Sequence, residues 1–120
     1  MGPMLTVKTI ERQYDDGNGV QILFYDESGT EIGEACTAPY FGKPNAFLHG
    51  FVVKEPYRNR GYGTLILRYM IEQWDVTFLY VHKGSRAVDL YKRSGFEIVD
   101  MFDDMLVMQR GGEDSERVYN

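Results

Sequence analysis

Apolar and polar residues alternate along the first third of the chain. Leu5 to Arg12 sets Leu5, Val7 and Thr9 against Thr6, Lys8 and Ile10, the period of two that a strand requires. Asp15-Asp16-Gly17-Asn18-Gly19 contains an Asp-Gly and an Asn-Gly pair, a hairpin signal, and Val20 to Asp26 reads as the returning strand. Glu27-Ser28-Gly29-Thr30 is a further turn, and Glu31 to Thr37 a third strand. Ala38 to Asn45, with two prolines and a glycine, reads as a loop whose Tyr40 and Phe41 are expected to pack inward. The apolar run Ala46 to Val53 predicts a fourth, buried strand.

Beyond Val53 the period changes. Leu65 to Trp74 has the spacing of an amphipathic helix, Val76 to Val81 is rich in strand formers, and Ser85 to Arg93 is helical again with Gly95 as its stop. Phe96 to Met101 and Met105 to Gln109 close the pattern as a hairpin around Phe102-Asp103-Asp104. The order βββ–β–α–β–α–ββ predicts an α/β (α+β) mixed sheet with helices on its faces. Residues 1–110 are expected to form one domain, and the polar stretch 111–120 a mobile tail.

Candidate chemistry gathers between the fourth strand and the first helix, at Val53-Lys54-Glu55-Pro56-Tyr57-Arg58-Asn59-Arg60-Gly61-Tyr62-Gly63-Thr64. A glycine-rich turn between a strand and a helix presents free N–H groups and a positive dipole end to an anion. A pyrophosphate is the expected occupant. A phosphate-binding Gly-Lys-Ser/Thr ending is absent. A dinucleotide fingerprint needs a small residue at Ile66 and an acid ending the next strand, where the chain has Val81-His82. Both nucleotide readings fail.

Composition narrows the field further. The 120 residues include seven Phe, nine Tyr and one Trp, enough for one core. A net charge of −5 argues against general nucleic-acid binding, although Lys54, Arg58 and Arg60 form a local basic patch. Cys36 is the only cysteine, which leaves no intramolecular disulfide and no Cys-rich metal site and suits a reducing, cytoplasmic setting. No segment is apolar enough to span a membrane.

Arg58-x-x-Gly61-x-Gly63, five residues after Val53, resembles the acetyl-CoA signature of the GNAT (Gcn5-related N-acetyltransferase) superfamily. Ala87-x-x-Leu90-Tyr91-Lys92-x-x-Gly95-Phe96 is similar to that family's second motif, and Asp26, Gly29, Ile32 and Gly33 to a weaker third. The resemblance spans roughly residues 20 to 110. It implies acetyl-CoA as co-substrate. The backbone of Arg60, Gly61, Tyr62, Gly63 and Thr64 takes the pyrophosphate, with Arg58, Asn59 and Arg60 beside it. Phe51 and Val53 pair through their backbone with the pantetheine arm, between splayed fourth and fifth strands.

The same resemblance assigns Tyr91 the part of general acid toward the departing thiolate; the alternative is a core aromatic. It gives the oxyanion to a backbone N–H of Phe51 or Val53. Leu48-His49-Gly50-Phe51-Val52-Val53 is similar to the Leu-His-x-x-x-Val stretch of the serotonin N-acetyltransferases, where the histidine removes a proton. Phe47, His49, Phe51 and Val53 are expected on one strand face, so His49 is either that base or a core histidine. His82 is a second candidate base.

Two departures bear on function. Gly84 stands where the family often has Asn, with Ser85 beside it to replace that contact, and the turn Asp15–Gly19 stands where relatives insert two helices. The acceptor groove is therefore expected to be open, or completed by a partner or by a second subunit in a homodimer. These features lead to an N-acetyltransferase acting on a primary amine, a protein lysine or N-terminus or a small amine, by direct attack. The competing reading is a non-catalytic module that binds CoA or a protein.

Overall fold

The computed structural model describes residues 4–111, so the tail expected at 111–120 lies, beyond Gly111, outside the described residues. Among the described residues, nine elements of regular structure follow one another, with one turn of 3-10 helix at Glu55–Tyr57: β1 (Thr6–Tyr14), β2 (Gly17–Tyr25), β3 (Glu31–Tyr40), β4 (Lys43–Val53), α1 (Tyr62–Trp74), β5 (Phe78–His82), α2 (Ala87–Arg93), β6 (Phe96–Phe102) and β7 (Met105–Arg110). The seven strands form one mixed sheet in the order β1-β2-β3-β4-β5-β7-β6, antiparallel except for the parallel β4–β5 pair. This is the α+β architecture that the pattern predicts.

The core lies on one face of that sheet. Ile22 and Phe24 of β2, Ile32 of β3, Leu48 of β4, Leu79 and Val81 of β5, and Leu106 and Met108 of β7 form a single cluster with Ile66, Leu67 and Met70 of α1 and Tyr91 of α2. Alternation along each strand places these residues on one side. Both helices therefore cover the same face, not one each as the element order suggests. Among the described residues no helix covers the other face.

That second face carries a run of aromatic rings. Tyr40 stacks on Phe47 at 5.7 Å and lies 4.4 Å from Phe78, Phe47 meets Tyr80 at 4.9 Å, and Tyr80 meets Phe102 at 5.6 Å. Neither of the pair expected to pack inward joins the core: Tyr40 is half-buried against Phe47 and Phe78 on this outer face, and Phe41 is 90 % exposed. The expected loop over 38–45 is a tight hairpin, with β3 running to Tyr40 and β4 starting at Lys43. Its prolines fall where the β3–β4 ladder is irregular: the register shifts between Ala38 and Tyr40, and neither Pro39 nor Pro44 is a paired position, so no ladder N–H is lost. The Thr37 hydroxyl, fully buried, donates to Asn45 at 2.7 Å and accepts the Val20 N–H at 3.0 Å.

Two features of β4 position everything that follows. First, β4 and β5 pair only at Phe47↔Phe78 and Leu48↔Leu79, after which the strands separate. Second, the β3–β4 register shifts between Cys36↔His49 and Glu34↔Val52, and Gly50 lies in the left-handed region at φ 60. This is a bulge, and an extra residue reverses which face the following side chains take. His49 therefore does not share a face with Phe51 and Val53 as strict alternation predicts. Phe51 and Val53 pack against the helical core, and His49 turns to the helix-free face beside Phe47, their rings stacked at 5.9 Å.

Gly50→Ala is expected to cost about 1–2 kcal/mol, the penalty of a Cβ in left-handed backbone. The added Cβ also meets Cys36 Sγ at 3.3 Å. Chemical denaturation measures the loss. An unchanged midpoint would mean that the bulge does not depend on glycine.

Candidate functional site

The parted strands open on the helical side into a cleft of about 500 Å³. β4 supplies Phe51 and Val53, the turn before α1 supplies Arg58 and Asn59, and α1 supplies Gly63. The far wall is Ser85, Arg86, Ala87, Leu90 and Tyr91, from the approach to α2 and from α2 itself. Nine residues singled out from the sequence, seven as candidate site residues and Ala87 and Leu90 as part of the second motif, thus meet at one place.

The N-terminus of α1 is arranged for an anion. The helix begins at Tyr62, three residues earlier than its apolar spacing suggests, so Tyr62, Gly63 and Thr64 are its first turn. Gly61 precedes it at φ 86 with no side-chain cap, and the first turn holds no acidic residue. Its first N–H groups consequently have neither a capping oxygen nor a competing carboxylate. Arg58 is held against β4 by its Nε, which donates to the Val53 carbonyl at 2.7 Å, and its side chain borders the cleft.

Other expected residues lie elsewhere. Arg60 donates to the Pro56 carbonyl at 3.1 Å, lies over the Tyr57 ring and does not line the cleft. Thr64 opens onto a separate hollow between the two helices, shared with Arg68, Leu90 and Arg93. His82 is exposed at the end of β5, its Nδ1 accepting the Gly84 N–H at 3.3 Å. Ser85 does line the cleft, while its hydroxyl accepts the Ala87 N–H at 3.1 Å at the start of α2. Arg86 also lines the cleft. It belongs to no motif, and only the fold brings its charge opposite Arg58.

Tyr91 is 7 % exposed, with its ring 6.1 Å from Phe51 and 6.0 Å from Phe96. Burial alone pushes its phenol up to about 12, so it stays protonated across the neutral range. His49 occupies the other side of the sheet, beside the point where β4 and β5 part. Burial lowers its imidazole below the ordinary value, against the Thr37 carbonyl, which favours the charged ring. At pH 7 it is neutral and able to accept a proton.

The acetyltransferase (GNAT) domain profile matches residues 18–98. The chain belongs to the GNAT family. It is a short member, with the β1–β2 hairpin at its start and the splayed β4–β5 pair at its centre. Among curated proteins none matches the chain. Solved structures agree in fold. A GCN5-related N-acetyltransferase from Kribbella flavida is 16% identical, with 88% of this chain and 96% of that one covered and a TM-score of 0.65. Mutant forms of the spermidine/spermine N-acetyltransferase SpeG from Vibrio cholerae are 14% identical over 88% and 93%, at 0.64. ElaA from Escherichia coli is 13% identical over 89% and 99%, at 0.59. Among the described residues no helix is long and apolar enough to cross a membrane.

Proposed function

We propose that this GNAT protein transfers acetyl from acetyl-CoA to a primary amine, on a protein lysine or N-terminus or on a small molecule, by direct attack of the amine. One observation carries the reading: the uncapped, acid-free start of α1 opens onto a cleft whose other wall is the part of β4 that β5 leaves unpaired. A phosphate-bearing thioester fits both halves. The helix start and Arg58, with Asn59 and Arg86 nearby, suit its phosphates. The extended backbone at Phe51 and Val53 suits the amides of a linear arm.

Acetyl-CoA supplies the activated acyl group. The remaining work falls to the chain: a β4 backbone N–H at Phe51 or Val53 meets the negative charge that develops on the acyl oxygen. Tyr91, protonated and at the cleft wall, gives a proton to the departing thiolate. His49, neutral and next to the strand separation, draws a proton from the acceptor; His82, exposed and already bonded to Gly84, is the weaker candidate for that task. Arg60 keeps free guanidinium donors beside its bond to Pro56 but does not line the cleft, so it adds positive charge from outside.

Thermal melting with millimolar acetyl-CoA tests the cofactor. A ligand at 100 times its Kd stabilises by about 2.7 kcal/mol, which raises the melting temperature by several degrees. No rise would overturn the reading. Where binding is found, release of free thiol with a panel of lysine peptides, N-terminal peptides and polyamines separates an enzyme from a module that only holds CoA. Polyamines belong in the panel because a spermidine/spermine acetyltransferase shares the fold.

A further inference from the structure

The sheet carries one polar couple that no motif announces. The Tyr14 hydroxyl lies 3.3 Å from Nε2 of His49, with the two rings edge to face at 6.4 Å. Tyr14 ends β1, and β2 and β3 lie between it and β4. Its ring crosses that gap over a bare backbone. A Cβ on Gly19 would lie 2.8 Å from the Tyr14 ring and 2.2 Å from the Thr37 carbonyl oxygen. The hairpin glycine is thus what lets the phenol reach the imidazole.

The bond is not needed to hold the hairpin together. β1 already pairs with β2 at nine consecutive positions, from Thr6↔Tyr25 to Tyr14↔Gly17. Nor is the couple sealed in the core: Tyr14 is 37 % exposed and His49 half-buried, so the phenol is the more accessible member. The pair also stands on the face away from the cleft, next to where β4 and β5 separate. An amine reaching the acyl group through that opening from the helix-free side meets this couple.

We propose that Tyr14 is the acceptor-side proton relay of His49. The phenol oxygen takes a proton from the incoming ammonium while its own proton passes to His49 Nε2. The products are a free amine, a neutral tyrosine and an imidazolium, which then loses its proton to solvent. This rests on the acetyltransferase reading above and adds to it a residue from the β1–β2 hairpin. The groups around the ring are few. Cys36 lies opposite His49 in register, flanked by Glu34 and Arg12, and buries its thiol well enough to hold it protonated.

The test has a readout that does not require turnover. The chain has only two histidines, so nitrogen NMR of the imidazoles resolves His49 from His82. The expected free-protein spectrum has His49 in one tautomer, with Nε2 bare, and Tyr14→Phe raises the His49 pKa because a donated O–H favours the neutral ring. With acetyl-CoA and an accepted amine, Tyr14→Phe lowers kcat about 100-fold, the low end of what a positioned acid–base group contributes. KM for acetyl-CoA and melting temperature stay unchanged, and the double variant with His49→Ala is no slower than His49→Ala alone. A protonated Nε2, or wild-type pH–rate behaviour in Tyr14→Phe, overturns the relay while leaving the enzyme reading intact. Absence of acetyl-CoA stabilisation overturns the enzyme reading itself, and the catalytic part assigned to Tyr14 with it.

Discussion

Tyr91→Phe is expected to lower the rate of acetyl transfer by at least about 100-fold while the protein still binds acetyl-CoA, the loss typical of removing a general acid. The substitution deletes one oxygen and keeps the ring, so the contacts to Phe51 at 6.1 Å and Phe96 at 6.0 Å survive. A fall in kcat with unchanged acetyl-CoA stabilisation fits an acid; unchanged turnover would reduce Tyr91 to a core aromatic. A second readout separates the phenol's environment from its role. The phenol sits at about 12 in the folded chain, against 10.0 ordinarily. Below pH 10 neither state ionises and the group has no effect on stability. Between pH 10 and 12 the unfolded chain loses this proton and the folded one does not, so stability falls as pH rises. Tyr91→Phe escapes that penalty, up to about 2.7 kcal/mol by pH 12. Alkaline denaturation of the two proteins measures the difference.

Phe24→Ala is expected to remove about 3–5 kcal/mol of stability, the usual cost of emptying a buried phenylalanine site. Phe24 is 0 % exposed, and its ring meets Tyr69 of α1 edge to face at 5.4 Å and 89°. The pair binds the meander to the helix whose N-terminus borders the cleft. Against a total of about 5–15 kcal/mol for a domain of this kind, little margin remains. Urea unfolding should show the midpoint falling sharply at unchanged slope. A loss under about 1 kcal/mol would mean that α1 and β2 repack around the gap.

Much of this was open to reading along the chain. Period-two alternation gives the meander, because a strand with one buried face has little freedom in its pattern. The turn expected over Asp15–Gly19 is shorter: only Asp15 and Asp16 turn, while Gly17, Asn18 and Gly19 pair with Tyr14, Gln13 and Arg12 inside β2. The pattern along the chain misleads where local chemistry pulls against tertiary contact. Prolines and a glycine make 38–45 look like a loop, but neither proline is a paired position of the β3–β4 ladder, so the hairpin keeps strand geometry. Gly61 and Gly63 look like one turn, yet Gly63 is helical and only Gly61 stands outside. The site divides in the same way. Residues carried by motif spacing, such as Arg58, Gly63 and Tyr91, meet at the cleft; Arg86 and Tyr14 have no spacing that marks them.

The sequence by itself determined the elements, their order and the glycine turn at the head of α1. These depend on local periodicity and on residues within one helical turn of each other. The tertiary structure decided which side of the sheet each reactive group occupies. One extra residue at Gly50 sends Phe51 and Val53 toward the cleft and His49 to the opposite face. There it meets a tyrosine thirty-five positions earlier in the chain, across two intervening strands. A bulge changes no composition and only one register, so the pattern along the chain does not reveal it. It shows only when two strands are laid side by side and the pairing slips by one.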